Sequence, residues 1–95
     1  FPNSLTSSKD LFLNVSYTNI RSILNKISFI ECYMCTQNLD LFFFTETWLN
    51  SNVIDSNFCP LGYNIIRNDR IGRGGGVAVI FKNFLKLIKV KTNFV

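Results

Sequence analysis

The sequence of 95 residues contains no histidine, one methionine and two prolines. The absence of histidine excludes every mechanism that needs a Ser-His or Cys-His pair, and every metal site with imidazole ligands, from this chain alone. An active site formed by these residues must therefore rely on carboxylates, amides and backbone groups, or be incomplete. Apolar residues make up 47% of the chain and charged residues 17%, which is typical of a globular protein. A chain of this length has room for one domain.

The chain also lacks long hydrophobic runs and paired cysteines. No apolar stretch approaches the ~18 residues that a membrane-spanning helix needs, and the polar residues 2–10 do not form a signal peptide. Three cysteines without framework spacing indicate free thiols, so we expect an intracellular protein without membrane association. Cys32 and Cys35 have neither a second pair nor a histidine for zinc, and we expect them to pack in the core. Because the chain begins at Phe1 and not at methionine, we expect it to be part of a longer reading frame.

Positive charge is concentrated in the last third of the chain. Residues 61–95 hold seven of the ten basic residues and one of the six acidic residues. A one-sided basic segment is typical of proteins that bind a polyanion such as nucleic acid. Lysines that alternate with apolar residues, as in residues 85–91, are equally typical of a solvated strand face. Charge alone therefore leaves both interpretations open.

Hydrophobic periodicity predicts a strand, a helix and a second strand. Apolar residues alternate over residues 11–17, which is the period of a strand. From residue 20 to about residue 38 they recur at spacings of three and four, which predicts an amphipathic helix with Thr18 or Asn19 as its N-cap. Residues 39–45 then predict a strand buried on both faces, because it has almost no polar side. Strand, helix and strand form a βαβ unit with two parallel strands.

The second half of the sequence predicts a β-hairpin. Residues 63–67 and 77–81 have strand character, and their connection ends in a glycine-rich turn at residues 72–76. Residues 87–95 are a candidate for one further strand. The first ten residues are an N-terminal flank, so the predicted domain spans residues 11–95.

Two polar side chains follow the two parallel strands. Asn19 comes just after the first strand and Glu46 at the end of the second, and the carboxyl ends of parallel strands meet at the same edge of a sheet. We therefore expect the two side chains to converge there. A divalent cation is the natural partner of a carboxylate at the end of an apolar strand, and Mg²⁺ takes one or two carboxylates with water and phosphate oxygens. The alternatives are that Glu46 points into solvent and that Asn19 is an ordinary helix cap.

A glycine cluster and three arginines lie in the basic segment. Arg67, Arg70 and Arg73 beside the glycines are compatible with a backbone nest for phosphate. However, no Gly-Lys-Ser/Thr follows, and no dinucleotide fingerprint opens a helix. The alternative is a tight turn that leads into a closely packed strand, with the arginines reaching outward.

The order of these motifs resembles the endonuclease/exonuclease/phosphatase family, and most of all the apurinic-type endonuclease domain of non-LTR retrotransposons. The similarity runs from about residue 11 to residue 89 and rests on four motifs: Asn-Ile-Arg-Ser at 19–22, Thr-Glu-Thr-Trp-Leu at 45–49, Arg-Asn-Asp-Arg at 67–70 and Gly-Arg-Gly-Gly-Gly-Val-Ala at 72–78. The resemblance implies an α/β fold. It would be the N-terminal portion of a two-sheet α/β sandwich (DNase I-like), starting with a βαβ unit followed by a β-hairpin.

The same resemblance implies a metal-dependent DNA endonuclease. In the family, Mg²⁺ or Mn²⁺ assists phosphodiester hydrolysis, and the retrotransposon enzymes nick nuclear target DNA for a reverse transcriptase in the same polyprotein. Carried over by position, Glu46 matches the metal-binding glutamate and Asn19 the active-site asparagine of the first strand. The family's later motifs, Asp-x-Asn and Ser-Asp-His, have no counterpart here, so we expect no nuclease activity from this chain alone.

Two further interpretations compete with an endonuclease fragment. One is a non-catalytic basic module that binds nucleic acid through Arg67, Arg70, Arg73 and the lysines while Glu46 plays no part. The other is a degenerate fragment with no retained function.

Overall fold

A computed structural model describes residues 12–72 and 74–87 of the chain, and these contain one mixed four-stranded sheet. The strands are β1 (Val15–Asn19), β2 (Leu41–Thr45), β3 (Tyr63–Asn68) and β4 (Val77–Lys82). Their spatial order is β1-β2-β4-β3, in which β1 and β2 are parallel and β4 is antiparallel to both β2 and β3. The predicted βαβ unit and hairpin are thereby confirmed. The predicted flank at residues 1–10, residues 88–95 of the candidate last strand, and Arg73 lie outside the described residues.

The helix is shorter than the sequence predicts. Helix α1 covers Ile27–Thr36 and follows a 3₁₀ turn at Leu24–Lys26, so that residues 20–23 form a loop. The prediction that Thr18 or Asn19 caps the helix is wrong, because both residues lie within β1. No helix among the described residues is long and apolar enough to cross a bilayer.

Apolar spacing nevertheless identified the residues that are buried. Ile30 and Met34 of α1 are buried, and so are Ile20 and Ile23 of the preceding loop. The two residues between those isoleucines have positive φ values, which no helix contains. A tight turn therefore brings Ile20 and Ile23 into the core, although their spacing of three residues resembles that of a helix.

The cysteines of the helix correct a second expectation. Cys32 and Cys35 are exposed and free, not packed in the core. At about 100° per residue they lie on the side of α1 opposite the buried Ile30 and Met34.

One face of the sheet carries the core. Phe42 and Phe44 of β2 point toward α1 with their ring centroids 4.2 Å apart, and Ile80 and Ala78 of β4 lie beside them. Burying a side chain such as Phe or Ile contributes about 1.5–3 kcal/mol, so this layer stabilises the strand ends at which the candidate site lies.

The opposite face of the sheet is open among the described residues. Tyr17, Phe43 and Val77 project from three strands and are 61%, 42% and 48% exposed, and with Ile66 and Val79 they line a shallow concave surface of about 550 Å³. The prediction that the strand at 39–45 is buried on both sides is therefore wrong at Phe43, whereas Leu41 on the same face is buried. The apolar composition of β2 predicts burial of Phe43 that the described residues do not provide.

Candidate metal site at the carboxyl edge of the sheet

Asn19 and Glu46 lie at neighbouring positions of one sheet edge. The register pairs Asn19, the last residue of β1, with Thr45, which directly precedes Glu46. Asn19 is exposed, and no described residue hydrogen-bonds to its side-chain amide. The register brings the two backbone positions together, whereas the convergence of the two side chains and the role of Asn19 stay predictions.

Glu46 leaves the strand in a left-handed backbone conformation. Glu46 and Trp48 both have φ of 56°, a region that costs a non-glycine residue about 1 kcal/mol or more and that persists when neighbours hold it. The loop after β1 supplies part of that support. The Ser22 N–H donates to the Glu46 carbonyl at 2.9 Å, and the Ile23 N–H donates to the Thr47 carbonyl at 3.0 Å.

Residues 74–76, called the glycine run below, contact residues 46–48 from the other side. The Thr47 N–H donates to the Gly76 carbonyl at 3.3 Å, and the Trp48 N–H donates to the Gly75 carbonyl at 2.9 Å. A Cβ at Gly76 would lie only 2.5 Å from Thr47 Oγ1, and the φ of Gly76 is +92°. Both facts require glycine there. The contacts favour a turn that packs closely against the next segment over an open phosphate nest.

Two N–H groups converge on one carboxylate oxygen of Glu46. The indole Nε1–H of Trp48 donates to Oε1 at 2.9 Å, and the backbone N–H of Gly75 donates to the same oxygen at 3.3 Å. The Trp48 bond, followed by the Gly75 bond, holds the pKa of Glu46 below its ordinary value of 4.5. Glu46 is therefore ionised at neutral pH. No described residue donates to its other oxygen, Oε2.

Two arginines flank this carboxylate. Arg70 and Arg21 also lower the pKa of Glu46 through their positive charge, although less than the two hydrogen bonds do. Arg70 lies over the glycine run, since its Cδ would be 2.5 Å from a Cβ at Gly75. Arg21 was not among the candidate site residues, because the apolar spacing predicted a helix from residue 20 onward. The signal that could have found it is its position two residues after the end of β1.

Arg67 has a different environment from Arg70. Its guanidinium binds Asp55 at 2.9 Å and Asp69 at 3.2 Å, and its side chain is 15% exposed. It also lies 5.8 Å above the ring of Phe58. These contacts join the loop at residues 50–58 to β3. Nucleic-acid binding by the arginines stays a prediction. Of Arg67 and Arg70, the two that the structure describes, Arg70 is the exposed one and lies beside Glu46.

The residues at this edge fit a divalent cation. Glu46 offers an ionised carboxylate with Oε2 free of N–H donors from the described residues, and Asn19 offers an amide oxygen from the neighbouring strand. One carboxylate with neutral oxygens suits Mg²⁺, which keeps several waters and binds phosphate. Within residues 12–72 and 74–87, no group of three or more His, Cys, Asp or Glu side chains could hold a metal ion. A cation at this edge would therefore need ligands beyond Glu46 and Asn19.

The fold has a counterpart among solved structures. The chain is similar to an AP endonuclease from Archaeoglobus fulgidus, with a TM-score of 0.61 and 21% sequence identity. The match covers 74% of this chain and 27% of that protein. At this identity the likeness concerns the fold: a small α/β unit, βαβ and then two further strands, matches part of an AP endonuclease. No family model matches the sequence, and no curated protein matches it.

Proposed function

We propose that this chain is the N-terminal part of a divalent-metal-dependent phosphodiesterase domain, a DNA endonuclease of the non-LTR retrotransposon type. The observation that carries the proposal is the environment of Glu46. Its carboxylate is ionised and is fixed by two N–H donors on one oxygen, and Glu46 directly follows Thr45, which pairs with Asn19 at the carboxyl edge of the sheet. The likeness of the fold to part of an AP endonuclease supports the same class of reaction.

In this proposal the described residues bind the cation and the phosphate and orient them. Glu46 Oε2, with the amide oxygen of Asn19, would hold Mg²⁺ or Mn²⁺, an ion that supplies polarisation of a phosphoryl oxygen and stabilisation of the leaving oxygen. Arg21 and Arg70 carry the positive charge beside Glu46 and would bind the non-reacting phosphate oxygens. Trp48 keeps the carboxylate in place through its indole N–H.

The proposal requires further groups from another segment. The chain contains no histidine to position or activate the attacking water. The open sheet face around Phe43 and Val77 is suited to packing against a second sheet, as in a two-sheet sandwich. A segment that covered this face would complete both the core and the edge that carries Glu46.

A plasmid-nicking assay tests the incompleteness of the site. We expect the purified 95-residue chain to produce no open-circular product in Mg²⁺, because the water-activating group is missing. Metal-dependent nicking that disappears in Glu46→Ala would contradict this expectation. Nicking that persists in Glu46→Ala would indicate a contaminating nuclease.

A non-catalytic nucleic-acid-binding module is the second candidate function. It is favoured by the net charge of +4 and by the exposed Arg70. Fluorescence anisotropy with a labelled DNA duplex separates the two candidates. Metal binding at Glu46 predicts that Mg²⁺ raises DNA affinity in the wild type and not in Glu46→Gln, whereas the binding module predicts that Glu46→Gln changes nothing.

The matched control in this assay is another exposed basic residue. Lys86 follows the end of β4 that lies away from the site edge. Both candidates predict that Arg70→Ala weakens DNA binding more than Lys86→Ala does. They also predict that Arg70→Ala lowers the slope of log affinity against log salt concentration by about 1, the value for one phosphate contact. Equal losses of affinity in the two variants would indicate that the DNA binds elsewhere on the chain.

A further inference from the structure

We propose that Trp48 is a positioning residue that makes Glu46 a one-oxygen ligand and thereby favours Mg²⁺ or Mn²⁺ over Ca²⁺. The inference rests on the proposed function, because it concerns the same carboxylate. It goes further by assigning a role to a residue that contacts neither the phosphate nor the cation.

The two carboxylate oxygens of Glu46 have different hydrogen-bond environments. Trp48 and Gly75 both donate to Oε1, at 2.9 Å and 3.3 Å, while Oε2 receives no donor from the described residues. An oxygen that accepts two N–H bonds has its lone pairs occupied, so a cation meets the carboxylate at Oε2 alone. Mg²⁺ requires near-octahedral geometry with short bonds, whereas Ca²⁺ readily takes both oxygens of one carboxylate. Blocking Oε1 therefore prevents binding through both carboxylate oxygens, a mode that suits Ca²⁺ better than Mg²⁺.

The position of Trp48 is set by its backbone and not by burial. Its side chain is 46% exposed, so a role in the core does not explain its place. Its left-handed φ of 56° and the bond from its N–H to the Gly75 carbonyl direct the indole back toward Glu46. The glycine run passes directly beside the ring, because a Cβ at Gly74 would lie 3.8 Å from Nε1. The hydrogen bond from its indole N–H to Glu46 therefore explains why this exposed tryptophan is held in place.

The first test needs no metal. Trp48 is the only tryptophan in the chain, so a ¹H–¹⁵N spectrum contains one indole cross-peak. We expect Glu46→Gln to shift that peak and to speed exchange of its proton, because the amide accepts more weakly than the carboxylate. Glu31→Gln, a change of an exposed glutamate on α1, is the matched control and should leave the peak in place. Equal spectra for all three proteins would overturn the positioning role.

The second test measures cation preference. Free Mn²⁺ is counted by electron paramagnetic resonance while Ca²⁺ competes, in the wild type, Trp48→Phe and Phe29→Leu. Phe29 is the matched control because it is an exposed aromatic on α1, away from the site. We expect Trp48→Phe to reduce the preference for Mn²⁺ over Ca²⁺ by about threefold, since the remaining Gly75 bond to Oε1 is long and weak. Phe29→Leu should leave the preference unchanged.

The outcomes separate the inference from the proposed function. Binding that depends on Glu46, with the same preference in Trp48→Phe as in the wild type, overturns the role of Trp48 alone. An indole peak that responds to Glu46→Gln, in a chain that binds neither ion, contradicts the proposed metal site and with it the selectivity. A shifted peak together with a reduced preference supports both.

Discussion

Thr47 and Gly76 approach so closely that a Cβ on the glycine would lie 2.5 Å from the threonine Oγ1. Their backbones are joined by the bond from the Thr47 N–H to the Gly76 carbonyl. Because Thr47 directly follows Glu46, this contact fixes the distance between the glycine run and the carboxylate. The glycine run is therefore part of the candidate site.

Replacing Gly76 by alanine should destabilise the chain more than replacing Gly72. Both glycines have positive φ, +92° and +96°, so both variants incur a backbone cost of about 1 kcal/mol. Only Gly76→Ala adds a clash with Thr47, for about 1–3 kcal/mol more, because a Cβ at Gly72 would meet nothing within 4 Å. Urea unfolding of the two variants measures the difference. Equal losses would mean that the close approach of Thr47 is absent in solution.

Thr47→Val should leave stability unchanged or raise it by about 1 kcal/mol. Thr47 is fully buried, and its Oγ1 has no hydrogen-bond partner among the described residues. Valine keeps the shape and removes the unsatisfied hydroxyl. Thermal and urea unfolding give the comparison, with Thr47→Ala as the variant that also leaves a cavity. A marked loss of stability in Thr47→Val would show that the hydroxyl has a partner.

The hydrogen bonds to Glu46 predict a pH dependence of stability. The pKa of Glu46 in the folded chain lies below 4.5 because Trp48 and Gly75 donate to the carboxylate. Its contribution is therefore complete above pH 4.5 and is lost as pH falls through the lowered folded pKa. The difference in unfolding free energy between the wild type and Glu46→Gln should shrink over that acidic window. A difference that stays constant down to about pH 3 would contradict the assigned hydrogen bonds.

Arg67 and Arg70 should respond differently to alanine. Arg67 binds two aspartates with a side chain that is 15% exposed, so Arg67→Ala should lower the unfolding free energy by about 1–3 kcal/mol. Arg70 is exposed, and Arg70→Ala should change stability by less than about 0.5 kcal/mol. Denaturation of both variants, beside their DNA affinities, assigns one residue to the fold and the other to a ligand. Equal stability losses would contradict that division.

Sequence reasoning found the features that depend on local periodicity. The alternation before Tyr17 and the apolar run before Glu46 were enough to predict two parallel strands, and the parallel register then placed Asn19 near Glu46. The same reasoning failed at Arg21, where a left-handed turn reproduces the spacing of a helix.

The contacts that hold the site could not be predicted in this way. Gly75 and Gly76 are 27 or more positions away from Trp48 and Thr47 along the chain, and no local pattern connects them. The bond from the Trp48 indole to Glu46 depends on two left-handed residues that are not glycines, a conformation that their side chains do not favour. Tertiary contacts impose this geometry, so only the folded chain reveals it.

A chimera tests whether Glu46 belongs to the metal site of a phosphodiesterase. Residues 12–87 would replace the matching segment of the Archaeoglobus fulgidus AP endonuclease, and Mg²⁺-dependent incision of a duplex with one abasic site would be measured. Circular dichroism melting confirms that each variant is folded. We expect the chimera to incise, Glu31→Gln to retain the rate, and Glu46→Gln to lose it by about 100-fold or more. A folded chimera that incises equally well with and without the Glu46 carboxylate would contradict the claim.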